Sequence, residues 1–304
     1  MKIASVTSLF KYYPLPEALR AIAAAGCTGV ELWGGFPHAY TDDFHSGGAL
    51  DRGTVDACRR IVANSGLTPV QFLPEQCFYP VNYLVGDAPP FDGAALRKRS
   101  IAYFERAIAL TAALGFPRMC VTTPFWGWSR TAEGWRHVGK QDLAPVIEVL
   151  GGLAQVARRE GIDLVIEPLT HLETTGVETL DELRTVLDGV AAPNLKVMLD
   201  TGHVHVTAHA LGRDSAAYFA EHVAALSERL VHLHISDNHG DLDAHLNPGQ
   251  GSFDFAAAAA ALRASGYSGW LSAELIMFGA NPVPPKAEAM LADCAATVRR
   301  VFGG

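Results

Sequence analysis

Four hydrophobic runs that each end in a metal-competent side chain restrict the fold of this chain more than any other feature. They are Leu164-Val165-Ile166-Glu167-Pro168, Val197-Met198-Leu199-Asp200, Val231-His232-Leu233-His234 and Trp270-Leu271-Ser272-Ala273-Glu274. Their terminal residues follow one another at separations of 33, 34 and 40 positions, about one β/α unit each. Each run has the length and bulk of a buried strand. A parallel barrel gathers the C-terminal ends of its strands at one mouth, so Glu167, Asp200, His234 and Glu274 are expected to converge there. Three carboxylates and one imidazole make a mostly oxygen donor set, suited to a divalent ion such as Mn²⁺ or Mg²⁺. Such a site points to an enzyme.

The rest of the chain repeats the alternation. Short apolar runs at 3–7, 28–33, 68–73, 118–123, 163–167, 195–200, 230–235 and 270–274 predict strands. Stretches near 15–26, 51–66, 94–115, 140–160, 178–190, 213–228, 253–265 and 284–302 predict the helices between them. Eight strands, each followed by a helix, is the count of a (β/α)₈ TIM barrel, here one domain over 1–304. A doubly wound sheet explains the alternation, but not site residues on strands five to eight. It would also carry a glycine-rich phosphate loop after the first strand, where Val6-Thr7-Ser8-Leu9-Phe10 stands instead. Helix boundaries have local causes: Pro16 suits a first turn, Gly26 and Gly66 mark stops, and Asp254 or Ser252 can cap. The connections 34–50, 74–93 and 124–139 are long, follow strands and should lie at the mouth. Their aromatics, Trp33, Phe36, Phe78, Tyr79, Tyr83, Phe125, Trp126 and Trp128, either wall a ligand site or pin the loops to the barrel.

Composition narrows the partners. With 49 % hydrophobic and 18 % charged residues among 304, the chain can bury a large core. A net charge of −8 and no run of Lys or Arg argue against nucleic acid. No stretch is long and apolar enough to cross a bilayer, which leaves a small molecule as the expected partner. Five scattered cysteines without CxxC spacing fit reduced thiols in a cytoplasm. Lys11, Tyr12 and Tyr13 interrupt any signal-peptide apolar region, so a soluble cytoplasmic protein is expected. An aromatic patch on a mouth loop is also compatible with a homo-oligomer contact.

Further residues belong to the same mouth. His203 stands just past strand six and faces either the cavity or the surface; His205, two residues on, reads as structural. His232 and His234 point the same way from one strand. His234, nearer the C-terminal end, is the better ligand, and His232 should be a hydrogen-bonded core residue one layer deeper. The polar loop from Asp237 to Gly251 contains Asp243-Ala244-His245, which suits a second metal site or a substrate clamp. Glycines on both sides of Gln250 allow close approach to a ligand or an ordinary tight turn.

Over nearly its whole length the chain resembles the xylose-isomerase-like barrels of sugar isomerases, epimerases and endonuclease IV. The resemblance is carried by Glu31-Leu32-Trp33-Gly34-Gly35-Phe36-Pro37-His38-Ala39-Tyr40, by Ile166-Glu167-Pro168-Leu169-Thr170, and by the stretch from His232 to Gly251. It is greatest toward fructoselysine 3-epimerases, with the tagatose and psicose 3-epimerases similar at the metal site. It implies one divalent ion, expected to be Mn²⁺ with Co²⁺, Mg²⁺ or Zn²⁺ as alternatives, on Glu167, Asp200, His234 and Glu274. It also implies that Glu173 and His203 contact substrate hydroxyls. Two departures bear on function. Where the ketose 3-epimerases carry an arginine six residues beyond the metal histidine, Gly240 stands here, so Asp243, His245 or His239 would hold the substrate instead. The zinc histidines that endonuclease IV carries after strands three and four are replaced by Leu73-Pro74-Glu75-Gln76 and Thr122-Thr123-Pro124-Phe125, against a trinuclear cluster.

The expected chemistry is C3 epimerisation of a ketose or ketose derivative through an enediolate. A divalent ion stabilises the developing charge, while Glu167 and Glu274 act as catalytic bases on opposite faces, one taking the proton and the other returning it. Aldose–ketose isomerisation uses the same residues. A lyase cleaving C-glycosides of 3-keto sugars and a non-catalytic sugar-binding barrel are the alternatives.

Overall fold

The computed structural model describes residues 1–76, 93–123, 140, 142–275 and 286–303, and the backbone of 128–131 and 134–137. Eight parallel strands close into a barrel: β1 (Lys2–Val6), β2 (Gly29–Gly34), β3 (Thr68–Pro74), β4 (Arg118–Thr122), β5 (Asp163–Glu167), β6 (Leu195–Asp200), β7 (Leu230–Ile235) and β8 (Trp270–Ala273). Strands neighbour one another in sequence order around the wall, and β8 closes onto β1. This is the TIM barrel expected from the alternation.

The helices between the strands are α1 (Leu15–Ala24), α2 (Arg52–Asn64), α3 (Gly93–Leu114), α4 (Ala144–Glu160), α5 (Leu180–Val190), α6 (Thr201–Ala210), α7 (Ser215–Leu226), α8 (Phe255–Ala264) and α9 (Lys286–Phe302). Their ends follow the sequence signals. Pro16 lies in the first turn of α1, and Gly26 and Gly66 take positive φ angles of 82° and 72° just beyond α1 and α2. Of the two candidate caps for α8, Asp254 does the work, accepting from the Ala257 N–H at 2.9 Å. Among the described residues, the helix beyond the eight that the sequence predicts is α6. It is absent from the sequence pattern because Thr201 through Ala208 are all buried, which erases the apolar–polar period. The loop 34–50 folds into a 3₁₀ turn (Thr41–Phe44) and a small hairpin (His45–Ser46 with Ala49–Leu50).

Alternation along each strand separates two interiors. Ile166, Leu199, Leu233 and Leu271 face the helices in the main core. Val6, Leu73, Cys120, Val165 and Met198 form a smaller apolar layer that Trp33 and Val231 join. Residues two positions beyond that layer, toward the strand ends, therefore share its face. Glu167 follows Val165 in this way, and Asp200 follows Met198. The register sets Asp200 beside His234, and Glu274 immediately follows β8.

Cys27, Cys58, Cys120 and Cys294 are buried free thiols. Cys77, Phe78, Tyr79, Tyr83, Phe125 and Trp126 lie outside the described residues, and Trp128 is described in its backbone alone. Trp33 lines the mouth cavity, whereas Phe36 is 78 % exposed. No helix among the described residues is long and apolar enough to cross a membrane.

Candidate active site

Four strand ends meet. One ligand atom from each of Glu167, Asp200, His234 and Glu274 lies within 4.8 Å of the others, and all four residues are buried. His234 Nδ1 is 3.1 Å from Glu167 Oε1 and 2.8 Å from Glu274 Oε2. The set suits a divalent cation for two reasons. Three carboxylates packed around one imidazole leave negative charge to be neutralised, since burying an unpaired carboxylate is costly. Asp200 also has one oxygen that nothing satisfies. Its Oδ1 accepts from the Gly202 and His203 N–H groups and from the Ser236 hydroxyl, while Oδ2 is buried without a hydrogen-bond partner.

The electrostatics agree. Burial works to lower the pKa of His234, but the carboxylates of Glu274, Glu31 and Glu167 outweigh it and hold the ring protonated well above its ordinary range. That proton stands for the positive charge the cluster calls for. Burial raises the pKa of Glu274, the His234 charge opposes it, and the nearby Glu167 pushes it further up.

A second buried group adjoins the first. His203, Asp243 and His245 also bring ligand atoms within 4.8 Å of one another. His203 Nδ1 donates to the Pro168 carbonyl (3.1 Å) and His245 Nδ1 to the Glu274 carbonyl (3.0 Å), because a carbonyl can only accept. Both Nε2 atoms are thereby turned toward Asp243 Oδ2, at 3.4 Å and 2.7 Å. Against the effect of burial, Asp243 pushes the pKa of His245 up to about 10. His203 rises well above its usual value through Asp243 and Asp200, again against burial. Glu173 Oε2 is 3.7 Å from His203 Nε2 and accepts from the Thr170 hydroxyl at 3.0 Å. His203, placed by the first turn of α6, thus faces the cavity rather than the surface.

The mouth cavity has a volume of about 220 Å³ and is lined by Ser8, Lys11, Trp33, Leu73, Pro74, Glu75, Gln76, Thr122, Leu169, Glu167, Glu173, His203, His245 and Glu274. Both clusters contribute to its wall. His205 turns away, bonding Ser215 and Ser252 hydroxyls at 2.7 Å and 2.9 Å, as a structural residue should.

The loop after β7 is held by one carboxylate. Asp237 accepts from the N–H groups of Asn238, Gly249, Gly251 and Phe253. A Cβ at Gly251 would sit 2.1 Å from the Asn238 carbonyl oxygen. The glycines around Gln250 therefore serve a tight turn. Gly240 has φ of 86°, and a Cβ there would meet the His209 side chain at 3.0 Å. A side chain at 240 would be strained, so the missing arginine is built into the backbone path. His245 is one of two non-glycine residues among those described with positive φ (46°), held there by its contacts to Asp243 and Glu274.

Sequence reasoning missed Glu31. It is fully buried in β2, its Oε2 lying 2.8 Å from His232 Nε2 and 2.9 Å from His234 Nε2. A signal was present: a lone carboxylate inside the apolar strand Val30-Glu31-Leu32-Trp33 must be paired if buried.

Known proteins share this frame. A model of the xylose isomerase-like TIM barrel family matches residues 19–294. Fructoselysine 3-epimerase of Shigella flexneri is 26 % identical to the chain over 289 residues, covering 92 % of each. The structure of the E. coli 3-keto-D-glucoside 4-epimerase aligns with a TM-score of 0.71 at 20 % identity, covering 99 % of both chains. That of an L-ribulose 3-epimerase gives 0.74 at 18 %, covering 100 % of this chain and 95 % of that one. At such identities the two structures speak for the fold. With the family's model spanning most of its length, the chain belongs to the xylose isomerase-like TIM barrel family.

Proposed function

We propose that the protein is a divalent-metal-dependent sugar epimerase that inverts C3 of a ketose or ketose derivative. One observation carries this reading: Glu167 and Glu274 approach the same imidazole nitrogen from β5 and β8, strands separated in the barrel wall by β6 and β7. Two carboxylates so arranged can serve opposite faces of one sugar carbon. The relationship to fructoselysine 3-epimerase over 92 % of both chains supports the same chemistry.

Glu167, Asp200, His234 and Glu274 would hold the ion; Mn²⁺ is our first candidate. When bound, it supplies Lewis-acid stabilisation of negative charge on substrate oxygens. The remaining work falls to side chains. One of Glu167 and Glu274 removes the C3 proton and the other delivers a proton to the opposite face. Positioned acid–base groups of this kind contribute roughly 10²–10⁴-fold in rate. Glu173 and His203 contact the sugar's hydroxyls, while Asp243 and His245 act where the ketose 3-epimerases use the arginine that Gly240 replaces.

The test is a panel of free, phosphorylated and amine-linked ketoses incubated in D₂O with Mn²⁺-loaded protein. Deuterium should enter at C3 of the accepted ketose as its C3 epimer accumulates. Label at C1 with an aldose product would make the protein an isomerase, and no exchange from any ketose would make it a binding protein.

A further inference from the structure

Glu31 bonds a member of the proposed metal cluster and is not among the residues that line the mouth cavity. It reaches from β2 toward β7, with β1 and β8 between them in the wall, and its carboxylate meets three groups. Oε2 accepts from His232 Nε2 at 2.8 Å and His234 Nε2 at 2.9 Å, and Oε1 accepts from Gln71 Nε2 at 2.8 Å. All four residues are fully buried. A carboxylate in such a place is tolerated only when hydrogen bonds surround it.

We propose that Glu31 is a positioning residue for the metal site, fixing which nitrogen of His234 faces the cation. The proposal rests on the metal reading above. An ionised carboxylate only accepts, so the nitrogen facing it must carry hydrogen. With Nε2–H committed to Glu31, a neutral His234 ring presents its Nδ1 lone pair on the opposite side. There Glu167 Oε1 and Glu274 Oε2 lie within 3.1 Å and 2.8 Å. A metal-bound histidine whose other nitrogen donates to a carboxylate has its tautomer and ring orientation set, and its basicity raised. His232 is a built-in contrast. It makes the same bond to Glu31, yet its Nδ1 is buried without a hydrogen-bond partner, and it does not belong to the group of Glu167, Asp200, His234 and Glu274. A purely structural network would treat the two rings alike.

The experiment compares the full-length parent with E31Q and H232Q, each depleted of metal and titrated with Mn²⁺, with bound ion measured directly after equilibrium dialysis. E31Q keeps the shape but loses the charge, and its amide can turn either its oxygen or its NH₂ to the imidazoles, so it no longer dictates which nitrogen of His234 carries hydrogen. Gln71, whose own Oε1 is buried without a hydrogen-bond partner, can turn its amide to accept from the new NH₂. We expect E31Q to bind Mn²⁺ about 10- to 100-fold more weakly and to change the visible spectrum of bound Co²⁺. H232Q should retain the parent's affinity and spectrum. A folded E31Q with parental affinity and Co²⁺ spectrum overturns the proposal, as does equal weakening in both variants. Should E31Q fail to fold, ¹⁵N NMR of histidine-labelled, Zn²⁺-loaded parent decides. Nε2 protonated and Nδ1 metal-bound at His234 supports the proposal, and the reverse overturns it. If the parent itself takes up no ion, the metal reading fails instead, which keeps the two failures apart.

Discussion

The Ser236 hydroxyl donates to Asp200 Oδ1 at 2.8 Å, so this carboxylate serves two elements at once. Oδ1 also caps α6 through the Gly202 and His203 N–H groups, while Oδ2 is buried without a hydrogen-bond partner. The two jobs can be separated by substitution. Asp200→Asn keeps a capping oxygen but removes the charge, so it should lose most of its bound metal with little loss of stability. Asp200→Ala should lose the metal and a further ~1 kcal/mol of folding stability from the cap. Metal analysis and denaturant unfolding of metal-free protein measure the two effects. Stoichiometric metal in Asp200→Asn would remove Asp200 from the ligand set.

The barrel and the four converging strand ends were legible because each is a local pattern: an apolar run, a stop signal, and an acid or histidine at the end. What escaped was not local. Helix α6 carries no amphipathic stripe, since it is buried on every side. The sequence does place Asp200 before Thr201-Gly202-His203, a fair N-cap, but Gly202 and two β-branched valines argue for a loop. Glu31 pairs with histidines about 200 positions away, and only closing the barrel brings β2 toward β7. The Asp243–His245 pair was visible in sequence, but the backbone carbonyls that turn both imidazoles toward Asp243 were not.

His245→Ala should leave the principal metal in place, because His245 approaches Glu274 mainly through the backbone carbonyl. If His245 holds the substrate, KM should rise or kcat fall, with metal content unchanged. Loss of one equivalent of metal would instead identify His203, Asp243 and His245 as a second ion site. The substitution also places alanine at φ of 46° without the side-chain contacts that stabilise that conformation. A small stability loss, of order 1 kcal/mol, should accompany it, and His245→Gly should recover part of that loss without recovering activity.

Glu182 gives a pH-dependent test away from the site. Burial works to raise its pKa, but the Thr179 and Glu178 N–H groups and Lys140 outweigh it and hold the carboxyl below its ordinary value. Thr179 and Glu182 form a reciprocal cap on α5, and the Lys140 ammonium lies 3.0 Å from Glu182 and 2.9 Å from Glu178. A carboxylate with a depressed native pKa stabilises the fold above its unfolded-state value near 4.3. That contribution disappears as pH falls through the native value. Glu182→Gln should therefore be less stable than the parent by about 0.5–1 kcal/mol at pH 7, with the gap closing below pH 4. Denaturant midpoints across pH measure it, and a gap independent of pH would assign the effect to packing.

The two-base reading depends on Glu167 and Glu274 acting from different sides of one carbon. Gln at either position keeps the volume and an oxygen that can face a cation, but it cannot accept the proton. Each single variant should lose kcat by 10²-fold or more while KM changes little, the pattern of an interaction made in the transition state. The metal content of each variant must be measured beside its activity, since both residues stand in the ligand cluster. Solvent exchange then assigns the faces. In D₂O, Glu167→Gln should label only the epimer whose C3 proton faces Glu274, and Glu274→Gln only the other. Label would thus enter with little net epimerisation, because the return proton on the opposite face has lost its donor. Identical labelling of both epimers by both variants would mean one base serves both faces. A metal-loaded Gln variant that epimerises at the parental rate would remove that residue from the proton relay altogether.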